Sequence, residues 1–258
     1  MTVSVLNFKV ENHIAHLEMN RPEVMNALNF ELNQALADAW QEVQENDDIW
    51  VAILSAHPES RAFSAGMDLK ERAEMNAKGI DWRKVRVTGN NSPEEVWKPV
   101  IAAIHGYCLA GGWMMAQRSD FRICADDAIL GIREVKRGLM PHWVADLPRI
   151  IGLGNALEVV LMGEYITPER AKEMGFINSI VPKDEVLDEA FRWANILTEN
   201  APLSVRCLKE ILYRTHVLPH DEAMVMAKHL LHRVETSEDI SEGPRAFAEK
   251  RQPEWKGR

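Results

Sequence analysis

Residues 61–70 read Arg61-Ala62-Phe63-Ser64-Ala65-Gly66-Met67-Asp68-Leu69-Lys70. A short apolar strand ends on small residues, Gly66 permits a tight turn, and a helix opens behind it. The first N–H groups of a helix have no partner inside it, so they point outward and suit an oxyanion or a phosphate. An ordinary loop with Asp68 as a helix cap is the competing reading. The pattern returns at Ile104-His105-Gly106-Tyr107-Cys108-Leu109-Ala110-Gly111-Gly112-Trp113. Again a strand runs into glycines and then a helix. Two such turns on consecutive strand–helix units would supply two converging N–H donors, the geometry that a thioester enolate or a tetrahedral oxyanion requires.

A third run, Ala128-Ile129-Leu130-Gly131-Ile132-Arg133-Glu134-Val135-Lys136-Arg137-Gly138-Leu139-Met140-Pro141, sets one acid among apolar and basic neighbours. A partly buried Glu has a raised pKa and can act as a general base. The alternative at Glu134 is a plain salt bridge to Arg133, Lys136 or Arg137.

Outward from these runs, Val3 to Val10 and His13 to Met19 alternate as two strands joined at Glu11-Asn12. The apolar period over Ala27 to Val43 predicts an amphipathic helix. Trp50 to Leu54, Pro99 to His105 and Phe121 to Ala125 read as buried strands. Leu69 to Lys98, rich in charge and glycine, reads as mobile helical and loop segments over a site. Beyond about residue 155 the strand signals fade into successive helices. The expected plan is an α/β body over residues 1–195 followed by a helical region over 196–258.

The 258 residues are 46% hydrophobic and 27% charged, ordinary globular values that exclude disordered and collagen-like classes. Thirty Lys and Arg against 39 Asp and Glu leave a net charge of −9, which disfavours indiscriminate nucleic-acid binding. Three cysteines, Cys108, Cys124 and Cys207, point to free thiols in a reducing, cytoplasmic setting. The N-terminal residues lack a signal-peptide pattern, and no apolar stretch reaches the roughly 20 residues that span a bilayer. The expected protein works without a membrane. No His or Cys spacing makes a metal set: His216 and His220 straddle Pro219, and His229 and His232 read as surface helix residues.

In this order and spacing, the three runs resemble the crotonase superfamily, the enoyl-CoA hydratase/isomerase family. Asn20-Arg21-Pro22, Asn26-Ala27-Leu28, the stretch from Gly163 to Pro182, Ala201-Pro202-Leu203-Ser204 and the stretch from Ser237 to Pro253 extend the resemblance over nearly the whole chain. It implies an α/β spiral of ββα units with a C-terminal helical trimerisation region, as a homotrimer or a dimer of trimers. It also implies an acyl-CoA thioester as substrate, with coenzyme A part of that substrate and no separate cofactor. By the same resemblance the N–H groups of Met67 and Gly111 hold the thioester oxygen, and Glu134 is the acid/base. Ala65, Met67, Asp68, Leu69 and Lys70 would lie along the CoA, and Phe247 and Lys250 would approach the CoA of a neighbouring subunit.

Two departures stand out against the hydratases that this chain resembles. They carry a second Glu on the helix after the second glycine loop, where this chain has Met114, and a Met cannot shuttle protons. They have small glycines after the proline of the third run, where this chain has the bulky His142 and Trp143. His142 is a candidate replacement acid or base, with a packed structural His as the alternative. Met114, His142 and Trp143 are candidate residues of the acyl pocket, with plain core packing as the alternative. A single carboxylate at Glu134 resembles hydratase-lyases and also Δ3,Δ2-enoyl-CoA isomerases; enoyl-CoA hydratase or hydratase-lyase chemistry is the reading preferred here. A catalytically silent acyl-CoA-binding protein is the alternative from another class.

Overall fold

The computed structural model describes residues 4–215 and 217–258. Val3, where the first strand was expected to begin, and His216 lie outside them. The chain opens with the antiparallel pair β1 (Leu6–Glu11) and β2 (Ile14–Met19), joined through Asn12 and His13, both at positive φ. Helix α1 (Phe30–Glu45) follows. The sequence pattern predicts its start at Ala27, but Asn29 is the N-cap and accepts the Leu32 N–H, so the helix begins three residues later. Leu32, Leu36, Ala39, Trp40 and Val43 turn its apolar face inward.

From there the chain repeats one motif. A strand enters a large sheet, the chain turns a corner, a second strand enters a small sheet, and a helix returns. The first round is β3 (Val51–Ala56), β4 (Ala62–Ser64) and α2 (Leu69–Ala77). The second is β5 (Val100–Ile104), β6 (Tyr107–Leu109) and α3 (Gly111–Arg118). The third is β7 (Phe121–Ala125) and β8 (Ile129–Gly131), then a 3-10 turn at Glu134–Arg137, another at His142–Asp146, and the helices α4 (Leu147–Ile151) and α5 (Leu153–Met162). Helix α6 (Pro168–Glu173) and strand β9 (Ser179–Val181) complete the body. The large sheet runs β1-β2-β3-β5-β7-β9, parallel after its first pair. The small sheet runs β4-β6-β8, all parallel. This is a spiral of ββα units. Every residue of β3 and β5 is buried, as their uninterrupted apolar runs require.

The sequence pattern missed β6, β8 and β9, each of three residues, and helix α4. The expected fading of strand signals beyond residue 155 overlooked β9, which continues the large sheet along β7. Helix α7 (Val186–Thr198) lies across β3, β5 and β7, so the expected boundary at 195/196 falls within a helix. The tail proper is α8 (Pro202–Thr215), α9 (His220–Glu235) and α10 (Glu242–Glu249).

A polar clasp fastens α8 to the body. Asp120, nearly buried, accepts the Val100 N–H at 2.7 Å, Lys209 Nζ at 2.6 Å and Tyr213 Oη at 2.9 Å. Lys209 Nζ also donates to the carbonyl of Lys98 at 3.0 Å. Asp120→Ala strands the Lys209 ammonium and is expected to destabilise the chain by about 3 kcal/mol, read as a lowered urea midpoint.

Candidate active site

The parallel small sheet brings all three chemistry-bearing runs to one edge. β4, β6 and β8 each end there, and the chain leaves them through Gly66-Met67, Ala110-Gly111 and Ile132-Arg133-Glu134. The crevice beyond the carboxyl ends of parallel strands is where open α/β sheets place ligands. Asp126 follows the neighbouring β7, whose own end belongs to the large sheet.

The first two turns touch. A Cβ built on Gly66 would lie 2.7 Å from Ala110 Cβ and 3.0 Å from Gly111 N. A Cβ on Gly111 would lie 2.7 Å from Leu28 Cδ1, and one on Gly112 would overlap the backbone of Ser64. Gly66 also holds φ at +86°, where a side chain is strained. The glycines therefore serve close approach as much as turning.

Both proposed donors are free. A trans peptide points its C=O and N–H in opposite directions. The Gly66 carbonyl accepts the Leu28 N–H at 2.8 Å, so the Met67 N–H faces away from residue 28. The Ala110 carbonyl accepts the Met114 N–H at 3.0 Å as the first bond of α3, so the Gly111 N–H faces back off the helix start. Among the described residues neither N–H has a hydrogen-bond partner. Ala110 sits at φ 52°, ψ −117°, a conformation favoured only by glycine, and its own N–H is locked onto the Gly131 carbonyl at 3.0 Å. Strain of this kind costs on the order of 1–3 kcal/mol and persists where surrounding structure enforces it.

Glu134 opens the 3-10 turn after β8, and Gly138 at φ 66° closes that turn. The side chain is half-buried and its Oε2 has no hydrogen-bond partner. The salt bridge considered from sequence is not formed, and two of the three basic neighbours are engaged elsewhere. Lys136 pairs with Glu164, and Arg133 stacks on Tyr165 with its guanidinium carbon 3.9 Å from the ring centre. Burial pushes the Glu134 carboxyl above the usual carboxylate range, opposed by the nearby N–H groups of Glu134 and Arg133 and by the charge of Arg137. A carboxyl raised in this way is better suited to take and return a proton. Ile166 pairs with Leu130, and Gly163 packs on Val135, so the stretch after Gly163 braces this strand and turn.

The other residues singled out from sequence fall as follows. Asp68 caps α2 through the Glu71 N–H and pairs with Arg21 at 3.1 Å, so both carboxylate oxygens are committed. Ala65 is half-buried with its N–H on the Met25 carbonyl, while Met67, Leu69 and Lys70 are exposed beside it. Met114 packs against the core from α3. Trp143 is a core residue whose carbonyl accepts Gln117 Nε2, and His142 is exposed. Trp113 is wholly buried and stacks on Phe176 at 4.2 Å. Phe247 is 87% exposed on α10, and Lys250 ends that helix at φ 55°. Burial pushes the Cys108 thiol up, which leaves it inert beside the second turn. Among the described residues no three His, Cys, Asp or Glu side chains gather as a metal set. No helix of those residues is long and apolar enough to cross a membrane.

The chain matches the family model for enoyl-CoA hydratase/isomerase over residues 9–258. It belongs to the enoyl-CoA hydratase/isomerase family. Within this family it is 36% identical to a carnitinyl-CoA dehydratase of Salmonella paratyphi A over 251 residues, 95% of each chain. Its fold superposes on an enoyl-CoA hydratase of Mycobacterium tuberculosis with a TM-score of 0.91, at 34% identity over 99% of this chain and 100% of that one. An enoyl-CoA hydratase of Bacillus anthracis gives 0.89 at 31% identity, over 98% and 100%. The chain is thus an enzyme of the hydratase/isomerase family.

Three positions with a structural part in the site had no assigned role in the sequence. Asn26 and Ser64 bind the loops together, and Ala110 holds the strained corner. Asn26 lay in a quoted motif, and its φ of 50° is one that Asn tolerates. Ala110 carried no signal at all. Gly66→Ala should abolish turnover and lower stability by about 1–2 kcal/mol, from strain at positive φ together with contact against Ala110. Paired activity and thermal-melting measurements check both effects.

Proposed function

We propose that the chain acts on an acyl-CoA thioester through a stabilised enolate. The Met67 and Gly111 N–H groups receive the thioester oxygen and Glu134 moves the proton. The observation that carries this reading is the meeting, at one sheet edge, of two unpartnered N–H donors and a half-buried carboxyl with a free oxygen. Charge that builds on the oxygen when C2 loses a proton, or when water adds at C3, falls on preorganised dipoles. Each such donor contributes about 3–4 kcal/mol to the transition state. In hydration Glu134 takes a proton from the attacking water and delivers one to C2. Dehydration runs these transfers backward.

Hydration or dehydration, with chain cleavage as a sequel in the hydratase-lyase form, is the preferred reaction. The names of the relatives support it. Isomerisation is the second reading, favoured by the single carboxylate with Met114 in place of a partner acid: Glu134 would then take a proton from C2 and return it at C4. Ala65 and the Met67 to Lys70 segment lie where the CoA would run, with Lys70 as a cation for its phosphates. Three copies, or two sets of three, would assemble through the tail, where Leu208, Leu212, Met224, Val225 and Phe247 are exposed apolar residues. Phe247 and Lys250 would then reach a neighbour's CoA. The three free, buried thiols support a reducing, cytoplasmic setting.

Incubation with a panel of acyl-CoA thioesters in D₂O, followed by mass spectrometry, tests the reaction. Mass gain from water or chain cleavage is expected; deuterium uptake without either would select the isomerase. Glu134→Gln should lower kcat by roughly 10²–10⁴-fold. An unchanged rate would sink the assignment. The acid limb of kcat/KM should lie above the ordinary carboxylate range, since the base form is lost as pH falls through the raised pKa. Because folding favours the protonated carboxyl, its ionisation removes stability as pH rises through that pKa. Glu134→Gln should therefore melt no lower than the parent at pH 8.

A further inference from the structure

We infer that Ser64 is a positioning residue that sets the direction of the Met67 N–H while touching no substrate. The inference rests on the reading of Met67 and Gly111 as oxyanion donors.

Ser64 is the last residue of β4 and is completely buried. Its Oγ donates to the Asn26 carbonyl at 2.8 Å and accepts the Gly66 N–H at 3.1 Å. Gly66 is thereby held at both ends: its N–H by Ser64 and its C=O by the Leu28 N–H. This matters because glycine has no intrinsic preference that would stiffen the turn. The two peptide planes flanking Gly66 are fixed only by what they bind. One of those planes carries the Met67 N–H, so a Gly66 free to swivel would let the donor swing.

Asn26 anchors this arrangement. Its Oδ1 accepts the Arg21 N–H at 2.8 Å, and its Nδ2 lies 3.0 Å from the Ala62 carbonyl and 3.2 Å from that of Phe63. The loop that presents the Asn26 and Leu28 backbone is thus tied to the same strand that presents Ser64. Ser64 also bears on the second turn, since a Cβ on Gly112 would lie 3.0 Å from Ser64 Cβ. One buried hydroxyl therefore joins the loop at residues 20–28 to the first donor turn, and its Cβ packs on the second.

The test measures the thioester carbonyl directly. Butyryl-CoA labelled with ¹³C at the carbonyl is saturated, so it binds without hydration. Its carbonyl stretch, read by isotope-edited infrared difference spectra, should move to lower wavenumber on the parent protein. Ser64→Ala should lose at least half of that shift while its Kd for butyryl-CoA changes by less than about threefold, with kcat on the active thioester falling roughly 10-fold. Ser60→Ala is the control. Ser60 is equally buried and bonds Asn26 and Ala62, but it does not bond Gly66. It should lower the melting temperature and keep the full shift. A folded Ser64→Ala with the parent's shift and rate would overturn the proposal, as would an equal loss in Ser60→Ala. Should Ser64→Ala not fold, Ser64→Cys carries the same test, with a partial loss of shift expected from its weaker sulfur partner and an undiminished shift counting against the proposal. Absence of any shift in the parent would instead overturn the oxyanion reading beneath it.

Discussion

The close parallel packing of β4 on β6 is the constraint on which the site depends. Two glycine turns can meet at a sheet edge only if no side chain intervenes, and Gly66, Gly111 and Gly112 each leave space that a Cβ would fill. Once the turns meet, the anti geometry of the trans peptide does the rest. Each carbonyl is taken up by a structural hydrogen bond, and each following N–H is thereby turned away from it, with no partner among the described residues. The backbone alone makes this donor pair, so its accuracy depends on the neighbours that hold it and not on the Met67 side chain.

The same economy explains Glu134. Its turn is braced through Gly163 and the pairing of Ile166 with Leu130, and two of its basic neighbours, Lys136 and Arg133, are drawn off to Glu164 and Tyr165. An ion pair to any of them would have lowered its pKa and held it ionised. Left without that partner and partly out of water, the carboxyl is less stable when charged, which is what a reversible proton carrier needs. Strain at Ala110 is a second local cost borne by the site. Both fall on the sheet edge, while the buried strands β3 and β5 and the Asp120 clasp secure the scaffold.

Much of this was legible in the sequence because it is written in local patterns. Apolar runs marked β3, β5 and β7, and a 3.6-residue period marked α1. The repeated passage from strand through glycine to helix marked both donor turns. The three-residue strands β6, β8 and β9 were not legible. Each is too short to show a period, and each exists because a neighbouring strand supplies the other half of its ladder. The start of α1 was misplaced by three residues, since Ala27 and Leu28 fit its apolar period while the Leu28 N–H is used instead to hold Gly66. Ser64 passed as a small residue at a strand end; its role is visible only when Asn26, 38 residues earlier in the chain, is beside it. The ion-pair alternative at Glu134 followed local sequence; in the structure Lys136 and Arg133 turn instead to Glu164 and Tyr165, which arrive from a distant segment.

The central claim is that the carboxyl ends of β4, β6 and β8 bind and polarise a thioester. A crystal structure of the protein with butyryl-CoA tests it most directly. The account expects the thioester oxygen about 3 Å from both Met67 N and Gly111 N, with the Glu134 carboxyl facing C2 and C3 of the acyl chain. A thioester oxygen bonded elsewhere, with those two N–H groups left free or facing water, would contradict it.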